Sequence, residues 1–152
     1  MTAPPLHTRT GLTLHGHRVL IIEDELLIAL DLQGALVQIG AEVIGVAATV
    51  GEALVAVASP NLTAAIVDLR LNGQSVRDAV QALTDRNLPF VFYTGLEATP
   101  TARSWPKVPL LLKPLPPEEV ASTLAGLRLS IPRRQRRPEP LGLHFVRSLA
   151  AG

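Results

Sequence analysis

Five polar residues of this sequence follow short apolar segments, and their types suit phosphate chemistry. They are Glu23, Asp24, Asp68, Thr94 and Lys113. Three carboxylates that share one crevice repel each other and need a cation. Mg²⁺ suits them because it prefers oxygen ligands and keeps several waters. A carboxylate can attack phosphorus directly, while a lysine and a metal ion neutralise charge on the transferring oxygens. If these residues converge, they predict a site for phosphoryl transfer to a carboxylate.

The segments around these residues alternate between two patterns. Short runs that are apolar on both faces are typical of central parallel strands, and apolar residues three or four apart are typical of helices. The predicted strands are residues 18–22, 42–48, 64–67, 89–93 and 108–112. The predicted helices are residues 25–39, 49–58, 75–86 and 116–127, with a short fourth helix of a turn or two at 101–104. That helix is short because two prolines interrupt the link between the fourth and fifth strands.

This alternation predicts an α/β fold built on a parallel sheet. The carboxyl ends of parallel strands share one edge of the sheet, and ligands bind there at the point where the strand order reverses. With the strand order 2-1-3-4-5, that point lies between the first and third strands. Glu23, Asp24 and Asp68 would then meet at it.

Length and composition limit the number of domains, the kinds of metal site and the cellular location that we expect. A chain of 152 residues suits one domain with flanking segments, which we place at 1–17 (a flexible leader), 18–129 (the domain) and 130–152 (a flexible basic tail). The absence of cysteine excludes disulfides and cysteine metal sites. No apolar stretch reaches the roughly 18 to 20 residues that span a bilayer. The leader also lacks the apolar centre of a secretory signal, so we expect a cytoplasmic protein without membrane insertion.

The motifs of several other ligand-binding classes are missing from the sequence. The arginine-rich tail has no interleaved aromatic residues, and the chain shows no helix-turn-helix pattern, so we expect no nucleic-acid binding. No Gly-rich phosphate loop follows a predicted strand, which argues against nucleotide binding.

Four short motifs occur in the order of a known family. They are the acidic pair in VLIIEDE, the aspartate in AAIVDLRLNG, the threonine in FVFYTG and the lysine in LLLKPL. With them the chain resembles the receiver domain of two-component response regulators, over about residues 18–129. The resemblance implies a flavodoxin-like, doubly wound, five-stranded parallel sheet of order 2-1-3-4-5.

The resemblance also implies roles for the acidic residues. Asp68 would be the phosphoacceptor and one ligand of Mg²⁺. Asp24 would bind the metal directly, and Glu23 would bind it directly or through water. The backbone carbonyl of Arg70 would complete the protein ligands.

Two further residues are implied to contact the phosphoryl group, namely Thr94 through its hydroxyl and Lys113 through its ammonium. The family also carries a cis peptide bond between this lysine and the following proline, here Lys113 and Pro114.

The sequence departs from the family in the part that transmits the signal. An aromatic switch residue usually stands three positions before the lysine, where this chain has Leu110. The stretch 89–95 resembles a subgroup of single-domain receivers with the signature Pro-Phe-x-x-x-Thr-Gly-Tyr, except that Leu96 replaces the final tyrosine. We therefore expect a switch that is a loop rearrangement within residues 96–107 and that lacks an aromatic lever.

The function implied is that of a single-domain response regulator. It would take a phosphoryl group from a sensor histidine kinase or a histidine phosphotransfer protein. Its output would be protein–protein contact, because no effector domain follows the receiver in this sequence. Uptake and hydrolysis of the phosphoryl group would be self-catalysed, so we expect no enzyme in the ordinary sense.

Two other interpretations stay open at this point. A phosphorylation-independent binding module is compatible with the missing aromatic switch. A Mg²⁺-dependent phosphatase would carry a second catalytic aspartate two residues after the first, but that position is Arg70.

Overall fold

The computed structural model describes residues 12–95 and 99–127. Its strands are β1 (Arg18–Ile22), β2 (Glu42–Ala47), β3 (Ala64–Val67), β4 (Arg70–Leu71), β5 (Gln74–Ser75), β6 (Phe90–Thr94) and β7 (Leu110–Leu112). Its helices are α1 (Leu26–Gln38), α2 (Val50–Val57), α3 (Arg77–Asp85), α4 (Pro100–Ser104) and α5 (Pro117–Gly126).

Five of the strands form one parallel sheet in the order β2-β1-β3-β6-β7. This is the predicted order 2-1-3-4-5, since the fourth and fifth predicted strands are β6 and β7. The strands β4 and β5 were not predicted and form a separate antiparallel hairpin. Its turn is Asn72-Gly73, with φ of 50° and 77°, and an Asn-Gly pair with both φ positive is favoured in two-residue hairpin turns.

The central strands are buried on both faces, which confirms the doubly wound arrangement. Leu20 and Ile22 of β1 belong to a core beneath α2 and α3. Val19 and Ile21 of the same strand belong to a second core beneath α1 and α5. Side chains of a strand alternate between its faces, so a strand covered by helices on both sides must be apolar throughout.

Threonine side chains cap two of the described helices, α2 and α4. Thr49 precedes α2, and its hydroxyl accepts from the backbone N–H of Glu52 at 3.1 Å. The carboxylate of Glu52 in turn accepts from the N–H of Ala48 at 3.3 Å, a reciprocal arrangement close to a capping box. Pro117 opens α5, at a position where a proline costs no helical hydrogen bond.

The fourth helix is short, as predicted, and polar contacts attach it to α3. Arg77 donates to the hydroxyl of Ser104 at 3.1 Å, and its guanidinium lies 5.3 Å from the centre of the Trp105 ring. The indole N–H of Trp105 donates to the hydroxyl of Thr84 at 2.9 Å. A five-residue helix has little apolar surface to bury, so these contacts add to the packing of Ala102 and Trp105 against the core.

The packed structure begins before Arg18. Leu14, which the sequence analysis assigned to the leader, is fully buried in the core between α1 and α5, and its N–H donates to the carbonyl of Ile39 at 2.7 Å. His17 is also buried, and its Nδ1 lies 3.1 Å from the hydroxyl of Thr63. Residues 1–11 and 128–152 lie outside the described part of the chain. None of the helices within 12–95 and 99–127 is long and apolar enough to cross a membrane.

Two glycines flanking the end of α1 predict opposite effects of alanine. Gly34 lies inside α1, and a Cβ there would meet no atom within 4 Å, so Gly34→Ala should raise the free energy of unfolding by about 0.5 to 1 kcal/mol. Gly40 has a φ of 96°, and a Cβ there would clash with the ring of His15, so Gly40→Ala should lower it by about 1 to 2 kcal/mol. Urea unfolding of both variants measures these changes. A change of the same sign in the free energy of unfolding of both variants would contradict the structure.

Candidate functional site

The register of the sheet brings the ends of its strands to one level. Ile22 is paired with Val67, so Glu23 and Asp68 follow neighbouring strands at the same height. Backbone hydrogen bonds continue this pairing past the strands. The N–H of Asp68 donates to the carbonyl of Ile22, and the N–H of Lys113 donates to that of Thr94, both at 2.9 Å. Residues far apart in the chain therefore meet at one edge.

The three predicted carboxylates form one group. One oxygen from each of Glu23, Asp24 and Asp68 lies within 4.8 Å of those of the other two. Glu23 and Asp68 are buried, whereas Asp24 is half-buried. Such a close set of hard oxygen donors is suited to a divalent cation.

Lys113 connects the two buried acids. Its Nζ lies 2.9 Å from Oε2 of Glu23 and 3.0 Å from Oδ2 of Asp68. Burial by itself would lower the pKa of Lys113, but the hydrogen bonds and charges of the two carboxylates outweigh burial and raise it. Lys113 therefore stays charged.

The electrostatics of the two acids at the end of β1 differ. Burial raises the pKa of Glu23 to about 7, although the hydrogen bonds from Lys113 and from the N–H of Glu25 oppose it. The pKa of Asp24 is lowered, chiefly because its carboxylate accepts from the backbone N–H of Asn72 at 2.9 Å. Two adjacent acids thus have opposite tendencies to ionise in the protein without metal.

Asn72 was not among the predicted site residues. It reaches Asp24 because the hairpin β4–β5, which starts two residues after Asp68, turns at Asn72-Gly73. Its side-chain amide also lies 3.5 Å from the carbonyl of Ala48. The Asn-Gly pair after the acidic segment was the signal for this turn, but the sequence did not show where the turn would dock. Arg70, whose carbonyl was predicted to bind metal, lies in β4 of this hairpin.

Thr94 and Lys113 lie at the ends of β6 and β7, as predicted from their positions after apolar runs. Thr94 is completely buried. The peptide bond between Lys113 and Pro114 is cis, which confirms the expectation from the family resemblance.

Comparisons with known proteins agree with this geometry. No family model and no curated protein matches the chain. Among solved structures, SdrG from Sphingomonas melonis Fr1 is 34% identical with a TM-score of 0.62, over 76% of this chain and 96% of that one. The PhyR response regulator REC domain of Erythrobacter litoralis is 30% identical with a TM-score of 0.60, over 73% of this chain and 88% of that one. This chain belongs to the response regulator receiver domains.

A longer response regulator also matches this receiver domain. PhyR from Brucella abortus is 28% identical with a TM-score of 0.64, and the match covers 96% of this chain but only 57% of that one. Receiver domains are signalling modules that typically bind Mg²⁺ through an acidic cluster. This receiver domain has an acidic group at the same edge of the sheet, made of Glu23, Asp24 and Asp68.

The raised pKa of Glu23 predicts a pH-dependent effect of Glu23→Gln on the metal-free receiver domain. Because the folded-state pKa of about 7 lies above the ordinary value of 4.5, the stability that neutral Glu23 contributes is lost as pH rises through 7. The amide of the variant does not titrate. The free energy of unfolding of Glu23→Gln should therefore rise relative to that of the wild type between pH 4.5 and 8, by about 1 to 3 kcal/mol.

Urea unfolding in the presence of a chelator, repeated across this pH range, measures the difference. The exposed Glu42 provides a matched control, and Glu42→Gln should show no comparable trend. A Glu23→Gln variant that loses stability relative to the wild type as pH rises would contradict the assigned electrostatics.

Proposed function

We propose that this receiver domain accepts a phosphoryl group on Asp68, with Mg²⁺, from a sensor histidine kinase or a histidine phosphotransfer protein. The observation that supports this most directly is the position of Asp68. Its carboxylate is buried at the end of β3, pairs with Lys113 at 3.0 Å and stands in a group of three acids. A nucleophilic carboxylate, a fixed cation and a set of metal ligands are the parts that phosphoryl transfer requires.

The donor set matches Mg²⁺. One lysine lies among three carboxylates, so the group retains negative charge that a divalent ion would balance. Asp24, Asp68 and the carbonyl of Arg70 would bind the ion, with Glu23 binding directly or through water. Bound Mg²⁺ would neutralise charge on the phosphoryl oxygens.

The remaining chemistry belongs to side chains of this chain. A carboxylate oxygen of Asp68 attacks phosphorus and forms an O–P bond, while the N–P bond to the donor histidine breaks and the imidazole nitrogen keeps the electron pair. Lys113 moves from the Asp68 carboxylate to a phosphoryl oxygen, and the hydroxyl of Thr94 donates to another. Water later attacks phosphorus, which releases phosphate and restores Asp68, so no other substrate is turned over.

The donor would be a protein, and the surface beside the site has the character of a protein contact. Helix α1 starts two residues after Asp24, and its first turns expose Leu26, Leu27 and Leu30 by 67%, 77% and 50%. Contiguous exposed apolar residues mark interaction surfaces. This position would let a protein that donates a phosphoryl group pack on α1 while its histidine reaches Asp68.

Phosphorylation with a small donor tests the proposed acceptor. Incubation with acetyl phosphate and Mg²⁺ should add one phosphoryl group to the wild type by intact-mass spectrometry. Asp68→Asn should add none, because an amide is not a nucleophile of this kind. Asp78→Asn, which changes an exposed carboxylate of α3, should behave like the wild type.

The same experiment separates the proposal from the alternative of a phosphorylation-independent binding module. A wild type that neither acetyl phosphate nor a histidine kinase can label would favour that module. Labelling of Asp68→Asn at the wild-type level would show that another residue accepts the group.

The output would be contact with a partner protein, controlled by the segment 96–107. Leu110 occupies the position of the usual aromatic switch and is 38% exposed at the sheet edge. A hydrogen bond instead connects the hairpin after Asp68 to the fourth helix. The hydroxyl of Ser75 in the hairpin lies 3.3 Å from the hydroxyl of Thr101 in α4. A shift of the hairpin on phosphorylation would therefore be passed to α4 and to Trp105 at its end.

This connection predicts a change around α4 on phosphorylation. Amide exchange in residues 99–107 and the fluorescence of Trp105, the single tryptophan of the chain, should both change when phosphoryl is added. Thr101→Val removes the hydroxyl contact with Ser75 and should reduce the fluorescence change without reducing phosphorylation. Thr123→Val, on α5, should leave both unchanged. Unaltered exchange in 99–107 on phosphorylation would contradict a switch in this segment.

A further inference from the structure

Lys113 must cross the sheet to reach its acids. It follows β7 at the edge of the sheet, whereas Asp68 follows β3 two strands away and Glu23 follows β1 three strands away. Neighbouring strands lie about 4.8 Å apart, so the gap to β3 is on the order of 10 Å between backbones. The lysine side chain therefore has to stay extended over the end of β6.

On β6, the aromatic ring of Tyr93 lies close to the ammonium of Lys113. This ring is nearly buried in the core between α1 and α5, and the ring centre lies 5.7 Å from Nζ of Lys113. An ammonium within about 6 Å of an aromatic ring is attracted to the face of that ring. The same side chain holds the following turn, because the Tyr93 hydroxyl donates to the carbonyl of Leu115 at 2.7 Å.

We propose that Tyr93 is a positioning residue for Lys113, with its ring holding the ammonium over β6 and its hydroxyl fixing the turn at 113–115. The inference rests on the proposed function, since it concerns the lysine that would bind the phosphoryl group. An aromatic residue in a strand is ordinarily a core residue, but Tyr93 also contacts the charged site.

The ring has an effect that the two carboxylates cannot supply. Asp68 and Glu23 attract Lys113 as long as they carry free charge, but phosphorylation of Asp68 replaces one of these partners. A lysine side chain has many rotamers, and holding it in one of them costs conformational entropy. Phosphorylation of Asp68 does not alter the Tyr93 ring, so the ring would still attract the ammonium and hold it near the place where phosphoryl oxygens arrive.

Three variants separate this role from packing. Tyr93→Leu removes the ring and the hydroxyl, Tyr93→Phe removes only the hydroxyl, and Phe90→Leu removes a ring of the same strand that packs in the opposite core. The rate of phosphoryl uptake from acetyl phosphate with Mg²⁺ should fall about 3- to 30-fold in Tyr93→Leu. Tyr93→Phe should stay within about threefold of the wild type because it keeps the ring, and Phe90→Leu should keep the wild-type rate.

An NMR measurement on the unphosphorylated protein gives a readout that loss of packing alone would not move. Protons on Cε of Lys113 should be shifted upfield by the Tyr93 ring in the wild type, Tyr93→Phe and Phe90→Leu, and should lose that shift in Tyr93→Leu. Absence of the shift in the wild type would overturn the inference even if Asp68 is phosphorylated normally.

The kinetic outcomes are equally decisive. Equal slowing by Tyr93→Leu and Phe90→Leu, or a Tyr93→Leu rate within twofold of the wild type, would overturn the positioning role. A wild type that shows the upfield shift but takes up no phosphoryl group would instead contradict the proposed function and leave the contact between Tyr93 and Lys113 standing.

Discussion

Buried charge is the constraint on which the rest of this structure depends. Glu23 and Asp68 are 2% and 7% exposed, and an unpaired carboxylate at such depth would be strongly destabilising. Lys113 lies within 3.0 Å of both and is the shared counterion. A single ammonium does not balance two buried acids and the adjacent Asp24, and burial raises the pKa of Glu23 to about 7. The site therefore carries excess negative charge, which is the physical basis for expecting a divalent ion.

The sheet supplies the geometry that this charge cluster needs. The pairing of Ile22 with Val67 and of Thr94 with Leu112 ends the parallel strands at one level, so Asp68 and Lys113 meet although 45 residues separate them. The hairpin after β3 then places the N–H of Asn72 against Asp24. Backbone pairing, not local sequence, therefore determines the distances within the site. A change of register by one residue would turn the acids toward the opposite face of the sheet.

The sheet order and the positions of the acidic residues, Thr94 and Lys113 could be predicted from the sequence, because β1, β3 and β6 are apolar on both faces and run directly into polar residues. Three features of the structure were not predicted, and each has its own physical cause. Hairpin β4–β5 has two residues in each strand, too few to show alternation, and it takes Ser75 away from the start of the helix predicted there. Leu14 is one of several apolar residues scattered through a mostly polar segment, and only its packing with α1 and α5 in the folded protein shows that it belongs to the core. Tyr93 looks like any strand aromatic until its distance to Lys113 is known.

Chemical trapping of the acyl phosphate tests the central claim most directly. Borohydride reduces an aspartyl phosphate to homoserine, so treatment of the protein after incubation with acetyl phosphate and Mg²⁺ should convert Asp68, and no other aspartate, to homoserine in the peptide map. The conversion should disappear when Mg²⁺ is removed by a chelator. Homoserine at a different aspartate, or none in protein that carries the phosphoryl group, would contradict the assignment of Asp68 as the acceptor.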